Sequence, residues 1–237
     1  MELPSCSRLL RIAGFGLSLV LLTQGWAVEP SSAAIAGFYA YAANVEARLA
    51  REHDSASTFL ASEDSARLRR GDPFIEQLTA AGGGALPGAL LHDWRGTAFV
   101  PNTTAAQFER LMEDFAAYPR IYAPQVVSAR VLSREGEHFQ VRMRVRQQHV
   151  ITVVMDTTYD VTFRRLDSTR GYSISRSTRI DEIASPGTRS EYALGPAASH
   201  GFLWRLNTYW SWERRDSGLY IQIETVSLTR SIPTGLG

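Results

Sequence analysis

The aromatic and titratable side chains of this sequence concentrate in one stretch. From His200 to Glu213, Phe202, Trp204, Leu206, Thr208, Trp210 and Trp212 fall on one phase; Arg205, Asn207, Tyr209, Ser211 and Glu213 fall on the other. Period-two alternation marks a strand with one buried face, so the even residues are expected inward. Three indoles on one strand face form a stiff apolar wall suited to a flat or polyunsaturated molecule. Plain core packing would use the same pattern.

Polar groups on inward phases would orient such a molecule. Arg176 shares its phase with Ile174 and Ile180, and Glu224 shares its phase with Val226 and Leu228. An inward guanidinium must be paired or meet an anionic or carbonyl group. An internal Arg176–Glu224 ion pair is one outcome, and contact with a ligand is the other. Met143, Met155, Tyr159 and Tyr172 sit on the apolar phases of neighbouring strand segments and complete the expected wall.

Acid–base chemistry has three candidates, His92, Asp93 and His200, all at expected strand starts. There is no Gly-x-Ser-x-Gly elbow. The histidines (His53, His92, His138, His149, His200) show no helical pair or short metal-binding spacing. The only cysteine, Cys6, precedes an apolar run near the N-terminus. The expectation is therefore binding without a catalytic residue, metal or cofactor.

The elements that must position these residues follow from periodicity. Residues 1–27 have the layout of a secretory leader: Arg8 and Arg11, an apolar run Ile12 to Leu22, and Gly25-Trp26-Ala27 as cleavage site. That run is shorter than the roughly 20 residues a membrane span needs. All 25 basic residues are Arg, and the net charge is +1. Removing Glu2, Arg8 and Arg11 with the leader leaves a neutral chain with no global pull toward nucleic acid or anionic lipid.

Residues 28–90 read as an N-terminal helix and a Gly-rich linker. Ser31-Ser32 caps a helix from Ala34 to Arg51 with the stripe Ile35, Phe38, Ala42, Val45, Leu49; Gly82-Gly83-Gly84 ends the linker. From His92 the order is a strand to Val100, then a helix opened by the capping box Thr104–Gln107. That helix carries Phe108, Leu111, Met112, Phe115 and Tyr118 and ends at Pro119. Six antiparallel strand segments follow, near 126–134, 139–146, 151–164, 172–181, 200–213 and 219–230. This is an α+β layout.

That order, with the phrases His92-Asp93-Trp94, Tyr118-Pro119-Arg120-Ile121-Tyr122-Ala123-Pro124 and His200-Gly201-Phe202-Leu203-Trp204, resembles the START-like (polyketide cyclase/dehydrase and lipid transport) superfamily, nearest to its coenzyme-Q-binding branch. The resemblance spans the domain at 91–233. It implies a helix-grip fold: a curved seven-stranded antiparallel sheet with a helix after its first strand, wrapped round a long C-terminal helix, with an apolar cavity between. It also implies binding or transport of a lipid, quinone or polycyclic molecule, or a cyclase-like reaction in the same cavity. Residues 234–237 stand where that gripping helix should begin, so a truncated C-terminus without the helix is expected, or another element in its place. The sheet face would then lie open, available to the Ala34–Arg51 helix or to a protein partner. Transient membrane contact and oligomeric state stay open at this point.

Overall fold

The computed structural model describes residues 29–60, 65–79, 84–148, 152–195 and 198–231. The expected leader, much of the Gly-rich run and residues 234–237 lie outside these residues.

The chain is α+β, with one large curved antiparallel sheet and few helices, as expected. The seven expected strands are present as β3 (Ala89–Pro101), β4 (Val126–Glu135), β5 (His138–Gln148), β6 (Thr152–Arg165), β7 (Arg170–Ala184), β9 (Arg205–Arg215) and β10 (Gly218–Arg230). Three short strands add to them: β1 (Phe74–Gln77), β2 (Gly84–Leu86) and β8 (Tyr192–Ala193). The order is β1-β3-β10-β9-β7-β6-β5-β4, with β2 beside β3 and β8 beside β7. The segment read as linker thus contributes β1 and β2, both paired to β3.

Helix α1 (Ser32–His53) forms as the stripe demands. Ser31 caps it by accepting from the Ala34 amide at 3.0 Å, and Ala34, Phe38, Ala42, Val45 and Leu49 are buried. A short α2 (Ser65–Arg69) packs Leu68 with Phe59, Phe99 and Tyr220. Helix α3 (Ala105–Glu113) opens with the expected Thr104–Gln107 capping box but stops before Phe115. Asp114 leaves helical geometry, and its side chain caps a single 3₁₀ turn, Phe115–Ala117. Pro119 then sits in the first turn of α4 (Tyr118–Ile121), where its missing N–H costs nothing. The proline starts a helix here rather than ending one, and the apolar spacing survives across the break.

The two faces of the sheet are closed by different helices. On one, α3, the 3₁₀ turn and α4 cover Phe139, Val141, Tyr159, Val161, Phe163, Trp210, Trp212, Leu219, Ile221 and Ile223. On the other, α1 covers Ala89, Leu91, Trp204, Tyr209, Val226 and Leu228. They are called the α3 face and the α1 face below.

Candidate functional site

Strand alternation and ladder register decide which candidate side chains can meet. Trp210 pairs with Ile223 and Trp212 with Ile221, and all four face α3. Phe108 of α3 stands edge-on to both indoles, with centroids at 5.8 and 5.5 Å. Gly171 lies opposite Trp212, and a Cβ there would come 2.6 Å from the indole, so the glycine makes room for the ring. Leu206 and Met143 pack half-buried against the same cluster. Tyr159 is buried in it, and burial pushes its hydroxyl up to about 12. Met155, fully buried, shares the face by register with Val145.

The other expected members lie elsewhere. Trp204 and Phe202 precede β9, which begins at Arg205. Gly201 has φ +77°, so the alternation does not extend back through residues 201–204. Trp204 consequently packs on the α1 face with Phe38 and Leu228. Phe202 stays half-buried in the loop, its ring 5.6 Å from that of His200. Tyr172 also faces α1, stacked on His53 at 4.3 Å.

Arg176 and Glu224 do not pair with one another. Both lie on the α1 face, and α1 supplies their partners. The Arg176 guanidinium donates to both carboxylate oxygens of Glu46 at 2.7 Å, and the Tyr209 hydroxyl donates to Glu46 at 3.1 Å. Glu224, 1% exposed, is held by Arg48 of α1 and by Arg95 of β3, the latter through Nε and Nη2 at 3.0 Å. The β10 ladders to β3 and β9 run through residue 224 without a register shift. Ile221 and Ile223 simply face α3 while Glu224 faces α1.

The three acid–base candidates do not converge. His92 and Asp93 are neighbours on β3 and point to opposite faces. Asp93, 1% exposed, accepts from the Tyr41 hydroxyl at 2.9 Å through Oδ2, while its buried Oδ1 has no partner. Burial, then the charge of Glu224, pushes its carboxyl up to about 7. Burial lowers His92, whose Nε2 lies 3.4 Å from the Thr229 hydroxyl. His200 sits in the loop before β9, its Nδ1 2.9 Å from Glu182. That buried carboxylate also accepts from the amides of His200, Gly201 and Phe202 and from the Ser199 hydroxyl, so its visible task is to fix the loop. Among the described residues no group of three His, Cys, Asp or Glu is placed to hold a metal.

The helices of the α3 face leave part of its sheet thinly covered, a strip called the trough below. The helices close the end holding Phe108, Phe115, Phe163 and Trp212, which are all buried. Beyond Trp210 the cover thins, and Met143, Val145, Leu206 and Ile121 are only half-buried. One cross-strand row in this region runs Trp94–Thr225–Thr208–Ser175–Val161–Phe139. The row was not foreseen as a whole. Its sequence signal is the hydroxyl periodicity Ser173, Ser175, Ser177 on β7 and Thr225, Ser227, Thr229 on β10.

No known family pattern and no curated relative matches the sequence. Several solved structures resemble this chain at low identity. A STAR-related lipid transfer protein fragment from Xanthomonas axonopodis is 14% identical, covering 67% of this chain and 85% of its own, with a TM-score of 0.41. The Zhui aromatase/cyclase from a Streptomyces species is 15% identical over 60% of this chain and 70% of its own, at 0.41. Human STARD10 is 8% identical over 73% and 71%, at 0.42. What this chain binds has to come from its own side chains.

Proposed function

We propose that this protein binds a hydrophobic small molecule in the trough of the α3 face, as a carrier or receptor rather than as an enzyme. One observation supports this above others. Leu206, Met143, Val145 and Ile121 form a half-buried apolar strip beside the buried Trp210 on this face. Apolar surface of this kind gains about 25 cal/mol per Å² when an occupant removes it from water. Stiff indole and flexible thioether together suit a lipid tail, a quinone or a polycyclic body. The scattered placement of His92, Asp93 and His200 gives a cyclase-like reaction less support. Residues 1–27, read as a leader, make export part of the same proposal.

Native mass spectrometry of the purified protein, followed by solvent extraction, tests the reading. A stoichiometric hydrophobe lost in Leu206→Arg, with the fold intact by circular dichroism, is the expected result. A protein that arrives empty and ignores apolar probes overturns it.

A further inference from the structure

Hydroxyls run through the apolar strip, with Thr208 between Leu206 and Trp210 on β9. Thr225, Thr208 and Ser175 stand side by side across β10, β9 and β7. All three are half-buried, and none makes a side-chain hydrogen bond among the described residues. At the β3 end of the row lies Trp94, whose indole Nε1 is buried and has no partner. A buried N–H without an acceptor costs roughly 1–3 kcal/mol, so native structures seldom leave one. At the other end the row turns apolar, at Val161 and Phe139. The β3–β7 end of the row therefore offers hydrogen bonds and the β6–β5 end offers only contact.

Among the described residues the same region carries no formal charge. In the row toward α3 stand Gly96, Ile223, Trp210, Ser173 and Phe163; in the row away from it stand Ser227, Leu206, Ser177, Tyr159 and His92. Among the described residues His92 and Tyr159 are the titratable groups there, and burial favours the neutral form of both. The carboxylates and guanidiniums of this face lie at its ends, where Arg165 holds Glu109 and Glu182 is taken up by the loop at residues 199–202. A charged occupant would lose its hydration with no counter-charge to meet it.

We infer that the occupant is an uncharged molecule with an apolar body and at least one carbonyl or hydroxyl oxygen along one edge, received by Trp94, Thr225, Thr208 and Ser175. This rests on the binding role proposed above and sharpens it to a ligand class. The body lies on Trp210, Leu206 and Met143. The oxygen accepts from the Trp94 N–H, the orphan donor of the row, and the hydroxyls can donate or accept as the functional group requires.

Three probes that share one ring system separate the two claims: naphthalene, 1-naphthol and 1-naphthoate, each titrated against the protein by calorimetry. The expected order is naphthol tightest, naphthalene weaker and naphthoate weakest. Thr208→Val and Thr225→Val keep the shape and remove a hydroxyl. Each is expected to weaken naphthol about fivefold and to leave naphthalene unchanged, with Thr208→Ser restoring the wild-type value. Trp94→Phe is expected to act like the valine variants. Equal affinity for naphthol and naphthalene, unaltered by the variants, overturns the oxygen edge while leaving hydrophobe binding standing. Tightest binding of naphthoate overturns the uncharged class. Failure of all three to bind overturns both claims.

Discussion

The two faces of the sheet are closed by helices of opposite character. The α3 face is covered by segments that follow β3 directly in the chain, and its core is apolar and aromatic. The α1 face is covered by a helix that meets its partners across very long separations: 176 residues for Arg48–Glu224, 130 for Arg176–Glu46 and 163 for Tyr209–Glu46. There, buried charge fixes the position of the helix in addition to the contacts of Phe38, Val45 and Leu49. Apolar packing tolerates small shifts, whereas a carboxylate between two guanidiniums demands one geometry. The face held by ion pairs fixes α1 in place, and the face held by packing leaves Met143, Val145, Leu206 and Ile121 half-buried.

The largest effect should come from breaking the charged clamp. Glu224→Ala leaves Arg48 and Arg95 facing each other in a buried site and is expected to cost about 3–5 kcal/mol in urea unfolding, with α1 becoming protease-sensitive. A loss below about 1 kcal/mol would show that packing alone seats the helix. On the opposite face, Phe115→Ala should cost about 3–5 kcal/mol through the cavity it leaves, with no change in α1 protection.

Titration sharpens the contrast. Asp93 has a folded value near 7 against an ordinary value near 3.8. Its stabilising contribution is thus complete below the ordinary value and is lost as pH rises through about 7. Asp93→Asn should be more stable than the parent by about 1–3 kcal/mol at pH 8, and the advantage should vanish near pH 4; equal curves at both pH values would contradict the buried-carboxyl account. His53 has the opposite sign. Burial depresses it to about 4 from 6.5, so its contribution is present above 6.5 and is lost as pH falls toward 4. His53→Gln should therefore lose roughly 1–3 kcal/mol less than the parent between pH 7 and pH 4.5. The smallest effect belongs to Arg176→Gln. That side chain is 46% exposed, and its removal should cost under about 1 kcal/mol in thermal unfolding.

Much of the site was legible because alternation reports faces directly. Trp210, Trp212, Leu206, Met143, Met155 and Tyr159 share one face, as their phases required. The reading failed where a strand was extended past its end. Trp204 and Phe202 followed the phase of β9 on paper, but a left-handed Gly201 and a strand start at Arg205 release them from it. It failed again for Arg176, Glu224 and Tyr172, which all lie on the α1 face, with only Glu224 fully buried and Arg176 46% exposed. Periodicity shows that a side chain is covered without showing which helix covers it. The alternate Ser and Thr residues of β7 and β10 went unused because hydroxyls are common on strands, and only the ladder register lines them up beside Trp94.

The sequence by itself determined the α+β class, the seven long strands, the capped helices α1 and α3 and the apolar phases, because these depend on contacts within a few residues. Only the tertiary structure decided that α1 covers the face opposite the tryptophan wall, that Glu224 pairs with Arg48 and Arg95 rather than with Arg176, and that an uncharged hydroxyl row runs through the trough. Those outcomes depend on sheet order and on pairings more than a hundred residues apart, which no local pattern encodes.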